Sequence, residues 1–269
     1  MSHPLLTDRT ALLRNRARAS QTFLHDIARA EVEDRLAMVN RAFTAPVIVT
    51  GMAAPWQDMI PGARVIADDD TLDVTQGCAD LVIHAMGLHW ANDPVGQVIQ
   101  CARALRPDGM FLGLALGGQT LHELRAAVAT AETEITGGLS PRVLPMADIR
   151  DMGALLQRAG LALPVADSAR INVTYASPLH LMRDLRAMGE GNAMLARLRH
   201  PTRRAILLRA AAIYTDLHGT PDGRIPATFD LVTLTGWAPD ASQPQPLRPG
   251  SAAKRLAEAL QATETPLQD

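Results

Sequence analysis

ADLVIHAMGLHWANDPVGQVIQCARALRPDGMFLGLALGG, residues 79–118, is the stretch that decides the fold. Leu81–His84 is a short apolar, β-branched run and reads as a buried strand. Asp93 followed by Pro94 supplies an N-cap and a first-turn proline, so a helix opens there. It runs to Leu105 and stops at Pro107-Asp108-Gly109, and Met110–Leu116 is a near-continuous apolar strand of the kind covered on both faces in a parallel sheet. Strand, loop, helix, turn, strand is the back half of a nucleotide-type α/β sheet. The stretch ahead of it, VIVTGMAAPW (residues 47–56), ends a strand in the single Gly51, where a phosphate or cofactor loop would carry two or three glycines. The chain keeps the scaffold of a cofactor enzyme and lacks part of the cofactor grip.

Working outward, residues 11–43 form a helical stretch in which Phe23, Leu24, Ile27, Val32, Leu36 and Val39 recur near helical spacing. Pro46 ends it. Ala63–Ala67 is a second strand, with Asp68, Asp69 and Asp70 at its carboxyl end. Thr120 is expected to cap a helix through about Glu134, and 137–147 is a loop. Asp148 caps a further helix ending at Gly160, and 163–175 alternates like a strand. Two helices, 178–188 and 202–217, are joined by a polar turn at 189–192 and a break at Pro201. Thr228–Trp237 is the last strand. Residues 238–250 are rich in Pro, Ser and Gln, and 251–269 read as a short helix and a tail. The expectation is an α/β fold with a doubly wound, mostly parallel sheet, an antiparallel edge hairpin and a helical insertion at about 178–217. The divisions are an N-terminal helical segment (1–45), the α/β domain (46–237) and the tail (238–269). In such sheets ligands sit at the carboxyl ends of the strands. That gathers Thr50–Gly51, Asp68–Asp69, His84–Trp90 and Leu116–Thr120 around one crevice.

Composition narrows the function classes. The net charge of −2 and the 3% aromatic content argue against a nucleic-acid partner and against a stacking platform for single strands. Basic charge is almost all arginine, Lys254 being the one lysine. Cys78 and Cys101 lack metal or redox spacing and read as reduced thiols. No apolar run approaches the roughly 20 residues of a membrane span, and the Arg-rich start has no apolar signal core, so the expected location is cytoplasmic. Elbow-serine, HExxH and P-loop motifs are missing. No metal is called.

The order strand–Gly51, strand–Asp68, DLVIHAMGLHW, ALRPDGMFLG and a late hairpin resembles class I S-adenosylmethionine-dependent methyltransferases. A closer likeness runs through FLHDIARAEVEDRL, DLVIHAMGLHWANDP, LRPDGMFLGLALGGQTLHELR, AETEITGGLSPRVLPMADIRDMGALLQRAGL, HLMRDLRAMGEGNA and IPATFDLVTLTGW. These strings, spanning about residues 11–237, are similar to the methyltransferase-like assembly factors of respiratory complex I in their alphaproteobacterial form. GGQTLHELR and RAMGEGNA are the specific ones. The malonyl-carrier-protein methyltransferase of biotin synthesis is a more distant likeness. The resemblance implies a Rossmann-like methyltransferase fold, S-adenosylmethionine as cofactor, and a protein substrate or complex I subunit as partner.

The departure from that family is specific. Its first strand ordinarily ends in D-x-G-x-G-x-G, whose glycines and amides face the cofactor at a helix N-terminus. Here V-T-G-M-A-A-P matches at Gly51 alone, and Pro55 removes an amide where the first helix should begin. Only 29 positions separate Gly51 from Asp80. Two strand–crossover units of at least about 10–12 residues per connection do not fit there. ARVIADDDTLDV then aligns with the family's third strand, and the second strand, its helix and the ribose-binding acid are expected to be lost.

The candidate residues follow from that layout. Gly51, Asp68, Asp69, Ala85, His89 and Trp90 are assigned to the cofactor, Asp68 or Asp69 accepting from an adenine amine or else forming a solvated capping turn. His89 is the candidate base, His84 a weaker one, and Trp90 a pocket wall. Gly117, Gly118, Thr120 and Arg142 are assigned to the substrate side, Arg142 lying between two prolines in a loop. Two functions stay open: a methyltransferase-like enzyme that modifies a protein side chain, and a cofactor-free pseudo-methyltransferase that binds and chaperones a complex I subunit. A third is methyl transfer to a small molecule or acyl-carrier protein.

Overall fold

The computed structural model describes residues 5–244, so the expected short helix within 251–269 lies outside the described residues. In chain order the elements are α1 (Arg9–Arg16), α2 (Phe23–Met38), β1 (Pro46–Thr50), β2 (Arg64–Ile66), β3 (Ala79–Ala85), α3 (Pro94–Ala104), β4 (Leu105–Gly117), α4 (His122–Thr136), α5 (Ile149–Arg158), β5 (Ala162–Tyr175), α6 (Pro178–Ala187), α7 (Arg204–His218) and β6 (Ile225–Trp237). By its internal contacts the chain divides into residues 1–239 and 240–269. In the described part of the second, Ser242 turns back onto the Asp240 carboxylate.

One sheet runs β2-β1-β3-β4-β6-β5. The first four strands are parallel, and β6 enters antiparallel between β4 and β5. The doubly wound sheet with an antiparallel edge hairpin is therefore present, and α6 and α7 form the helical insertion between the two hairpin strands. Period-two alternation assigns the faces. Ile48, Leu81, Ile83, Leu112 and Leu114 pack with Leu24, Leu124, Val128 and Tyr214 of α2, α4 and α7. Val47, Val49, Val82, Phe111 and Val232 pack on the other side with Val98, Cys101, Met152 and Leu156 of α3 and α5. Burial on both faces explains why these strands are apolar throughout.

Three local expectations change. The helical stretch 11–43 is two helices, broken between Arg16 and Phe23, and α1 starts two residues earlier on an Asp8 cap. Thr120 does not cap α4. Leu121, at φ 53°, precedes the helix, and the Thr120 hydroxyl donates to the Gly117 carbonyl instead. The Pro107-Asp108-Gly109 turn lies inside an extended β4, as an irregularity where pairing with β3 jumps from Leu105 to Met110. Asp148 and Asp93 cap their helices as expected, accepting from Arg150 and Gly96 amides.

The short spacing after Gly51 also takes shape. Between β1 and β3 there is one three-residue strand and no α-helix, only a 3-10 turn at Ala54–Trp56. A strand–helix unit is missing, as the spacing requires. The surviving strand β2 is hydrogen-bonded directly to β1, whereas the alignment with a third strand would set it one place further out. With the intervening unit gone, the edge strand closes up against β1, the only neighbour that can take its backbone donors and acceptors.

Candidate functional site

The carboxyl ends of β1, β2 and β3 converge on the crevice that the sequence points to. Gly51 follows β1, Asp68 follows β2, and Gly87–Trp90 follow β3, with Leu88–Trp90 wound as a 3-10 turn. The feature that sequence reading missed is what fills it. Arg16, the last residue of α1, lies directly over Gly51: a Cβ built on that glycine would stand 1.7 Å from Arg16 Nη1. Only a residue without a side chain admits the guanidinium so close to the backbone.

Arg16 Nη1 donates to Asp68 Oδ2 at 2.8 Å and Oδ1 at 3.0 Å. The two side chains are 5% and 2% exposed. Arg9, two turns earlier on the same face of α1, adds contacts of 3.3 Å to Asp68 and 2.9 Å to Asp69. Asp68 is thus fully engaged inside the protein, and Asp69 sits exposed at the rim. Gln97 of α3 donates to the Asp68 and Asp69 carbonyls at 3.0 and 3.1 Å. Its carbonyl therefore faces His84 Nε2, at 2.9 Å. That fixes the proton on Nε2 and leaves His84 Nδ1 buried without a hydrogen-bond donor among the described residues. Burial holds the His84 ring down to about 4, so it is neutral at pH 7. His25 of α2, also held to about 4 by burial, accepts from Trp56 Nε1 at 2.9 Å and lies nearby.

His89 and Trp90 meet a residue assigned no role from sequence, Glu190. Trp90 Nε1 donates to Glu190 Oε2 at 2.7 Å, and His89 Nε2 lies 3.3 Å from the same oxygen. The Leu116 amide points at His89 Nδ1 at 3.4 Å, so the ring offers its Nε2 proton to the carboxylate. Burial works against a charged Glu190, yet His89, the Trp90 indole and the Arg16 charge outweigh it and bring the carboxyl down to about 2. His89 is 2% exposed and committed to this contact. Its place as a candidate base becomes a place in an internal network. Glu190 belongs to RAMGEGNA, the family-specific string; that string was the signal available for it.

The same string cradles α1. Gly189, at φ 81°, abuts the Arg16 backbone, and Asn15 Nδ2 donates to the Gly191 carbonyl at 2.9 Å. Asn92 Oδ1 accepts from the Leu6 and Thr7 amides at 2.9 and 2.8 Å. Ala11 and Leu12 pack on Trp90, Leu144, Ala193 and Met194.

Of the remaining cofactor candidates, Ala85 is buried within the sheet, paired with Thr50. On the substrate side the structure separates the four. The spaces a side chain would take at Gly117 and Gly118 are held by Val232 and Asp230. Thr120 is fully buried and bonded to the Gly117 carbonyl and the Asp230 amide. These three brace α4 against β6. Arg142 does line an opening. It is tied to Glu132 and Thr202, and its hydrogen bonds bring the Glu132 carboxyl down to about 2. That opening is a cavity of about 370 Å³ whose walls include Trp90, Leu124, Arg142, Met182, Arg186 and Glu190. Among the described residues no three His, Cys, Asp or Glu side chains converge to hold a metal ion, and no helix is long and apolar enough to cross a membrane.

The crevice does not fit S-adenosylmethionine with α1 in place. The one glycine of the loop is covered by a guanidinium, and the Asp68 carboxylate is consumed by two arginines. Pro55 replaces an amide in a turn that never becomes a helix.

Comparison with known proteins supplies the family. A profile described as "Methyltransferase domain" matches residues 24–113. The chain is 37% identical over 215 residues to "Arginine-hydroxylase NDUFAF5, mitochondrial" of Danio rerio, covering 80% of this chain and 67% of that protein. The human protein of the same name is 37% identical over 216 residues, with 80% and 62% covered. A "Malonyl-[acyl-carrier protein] O-methyltransferase" of Laribacter hongkongensis is 38% identical over 179 residues, covering 66% and 58%. A crystal structure from Bacillus halodurans C-125, described as a methyltransferase, shares the fold at 13% identity, with TM-score 0.50 over 77% of this chain and 98% of that one. The chain spans about two thirds or less of the length of these curated relatives. It belongs to the class I methyltransferase-like family of the arginine-hydroxylase NDUFAF5 proteins.

Proposed function

We propose that the chain acts in the assembly of respiratory complex I, as a methyltransferase-like protein that engages a protein partner. Its family and the specific strings it carries support this reading. The observation that carries it is the contrast within the site: the cofactor crevice is filled, while a cavity of about 370 Å³ beside Trp90 is left open. That cavity has apolar walls with a few convergent polar groups, the form of a pocket that admits one ligand group and fixes its orientation. We assign Arg142 and Arg186 at its wall to carbonyl or carboxylate groups of the partner beside the presented residue, and Gly117, Gly118 and Thr120 to bracing α4 and β6 behind the cavity. The relatives are named as arginine-hydroxylases, so the side chain we expect to be presented is an arginine. They are named as mitochondrial; we place this chain in the cytoplasm.

A second reading keeps S-adenosylmethionine as a ligand that enters when α1 is displaced. Gly51 and Asp68 still stand at the ends of adjacent strands, which favours it. On that reading Gly51, Asp68, Asp69, Ala85, His89 and Trp90 would surround the bound molecule. Methyl transfer to an acyl-carrier protein has only the weaker relatives behind it.

The test is genetic and physical. Deleting the gene in its own host is expected to abolish assembled complex I, and the tagged full-length protein, cross-linked through a photoreactive residue at Arg186, is expected to capture a complex I subunit. Normal complex I assembly in the deletion strain would overturn the proposal. Mass spectrometry of captured subunit then shows whether one of its arginines carries an added oxygen.

A further inference from the structure

We infer that the former cofactor crevice is a guanidinium-binding site whose resident ligand is the chain's own Arg16, and that it accepts a free guanidinium group when Arg16 is removed. Apart from Arg9, which reaches Asp68 Oδ1 more loosely at 3.3 Å and is held at the rim by Asp69, the groups around it are acceptors. Asp68 presents both carboxylate oxygens to Arg16 Nη1, at 2.8 and 3.0 Å. His84 lies close by, its buried Nδ1 kept unprotonated by Gln97 and bonded to no described donor, Arg16 included. Glu190, a second buried carboxylate, accepts from Trp90 and His89 and lies near enough for the Arg16 charge to favour its ionised form.

A guanidinium is donor-only, planar and always charged, so it matches an acceptor-lined slot in a way an ammonium or an adenine does not. The shape agrees with the charge. The slot is closed beneath by the bare backbone of Gly51, and a methyl there would strike Arg16. On its other flank Gly87 lets Asp68 approach the turn, where an added Cβ would lie 2.7 Å from Asp68 Oδ2.

The site is also built to be held by α1 from outside. Apart from the Arg9 and Arg16 contacts with Asp68 and Asp69, the polar anchors of α1 lie on Asn92 and on residues 189–199, including the Asp8–Arg197 pair at 2.9 Å, not within the sheet. The helix has eight residues and buries only Ala11, Leu12 and Arg16. Its hydrogen bonds run to loops and turns, and among the described residues none goes to a backbone group of β2 or β3. The site stands independently of the assembly role. Identifying a natural replacement for Arg16 as an arginine of the partner protein rests on that proposed role.

The test is chemical rescue in the full chain. Arg16→Ala leaves a guanidinium-shaped hole. Ethylguanidinium at millimolar concentration is expected to raise its melting temperature by several degrees, while ethylammonium at the same ionic strength leaves it unchanged and neither affects the wild type. Adding Gly51→Ala should fill the hole and abolish the rescue. S-adenosylhomocysteine should give no heat with wild type at millimolar concentration. Equal responses to both cations, or micromolar binding of S-adenosylhomocysteine by the wild type, would overturn the inference. Should Arg16→Ala not fold, Asp68→Asn serves: amides of residues 9–16 are then expected to exchange at least tenfold faster than in wild type, with β3 unchanged. Unaltered exchange in α1 would count against it. Failure to capture a complex I subunit would leave these results untouched.

Discussion

The two ends of one sheet have had different fates. On the side of β3, β4 and β6 the strands are four or more residues longer than β2, helices cover both faces, and a cavity stays open above them. On the side of β1 and β2 a strand–helix unit is missing and the glycine loop is reduced to Gly51. The gap there is closed by an ion pair. The difference shows that a Rossmann-type sheet tolerates erosion at its ligand-binding edge if the charge left behind is neutralised. Asp68, stranded at the end of β2, is a buried carboxylate that needs a cation, and α1 delivers one.

The largest expected effect breaks that closure. Asp68→Ala leaves the Arg16 guanidinium buried and unpaired, and loss of one partner of a buried pair costs about 3–5 kcal/mol. Urea unfolding monitored by circular dichroism should show it as a lower midpoint with an unchanged slope. A loss no larger than that of a surface substitution would mean that the pair is solvated and the eroded edge is open.

The next sharpens the comparison through pH. His25 and His84, both beside the closed crevice, titrate near 4 in the folded chain and near 6.5 when unfolded. Between those values the unfolded chain binds protons that the folded chain does not. Their contribution is therefore full above about pH 6.5 and is lost as pH falls toward 4. His25→Gln keeps an acceptor for Trp56 Nε1 and removes one titration. It should flatten the decline in stability between pH 6.5 and 4, by about 1–3 kcal/mol at the lower end. An unchanged pH profile would show that burial at this edge is incomplete.

Glu190 works in a lower window. Its carboxyl is depressed to about 2, so the stability it adds is present above the ordinary carboxylate range and is lost as pH falls from about 4.5 through 2. Glu190→Gln leaves Trp90 an acceptor but removes the charge, and should cost about 1–3 kcal/mol at pH 7, while removing its share of acid sensitivity in that window. Acid unfolding curves identical to wild type would detach Glu190 from the network that joins the two halves.

How much of this could be read from the chain varies with the kind of interaction. Apolar runs such as Met110–Leu116 and the Asp93-Pro94 cap announce their elements, because strand burial and helix capping act over a few residues. The missing unit was visible as well, since 29 positions cannot hold two crossovers. The Arg16–Asp68 pair was not: its partners are 52 residues apart, and Arg16 is one arginine among several in an unremarkable polar helix. Thr120 misled for a related reason. A threonine before a helical run is a good cap by type, yet tertiary contacts with Gly117 and Asp230 claimed its hydroxyl. Glu190 lay in a recognised string without a recognised role, because a buried acid announces itself only through its donors.

The smallest expected effect lies on the intact half and serves as its control. Arg209 of α7 and Glu134 of α4 form a close pair at 2.6 Å, shorter than the Arg16–Asp68 contact. Distance alone would rank it the stronger. Both side chains are nearly half exposed, so water screens the attraction and already solvates each charge when the other is removed. Exposed pairs of this kind contribute little or nothing measurable. Arg209→Ala is therefore expected to leave the urea midpoint within the scatter of repeat measurements, and 0.5 M salt should not change that result. A clear loss would mean that α4 and α7 are held by charge rather than by the packing of Val128, Ala210 and Tyr214. The contrast between an edge closed by a buried ion pair and a flank closed by apolar contact would then fail.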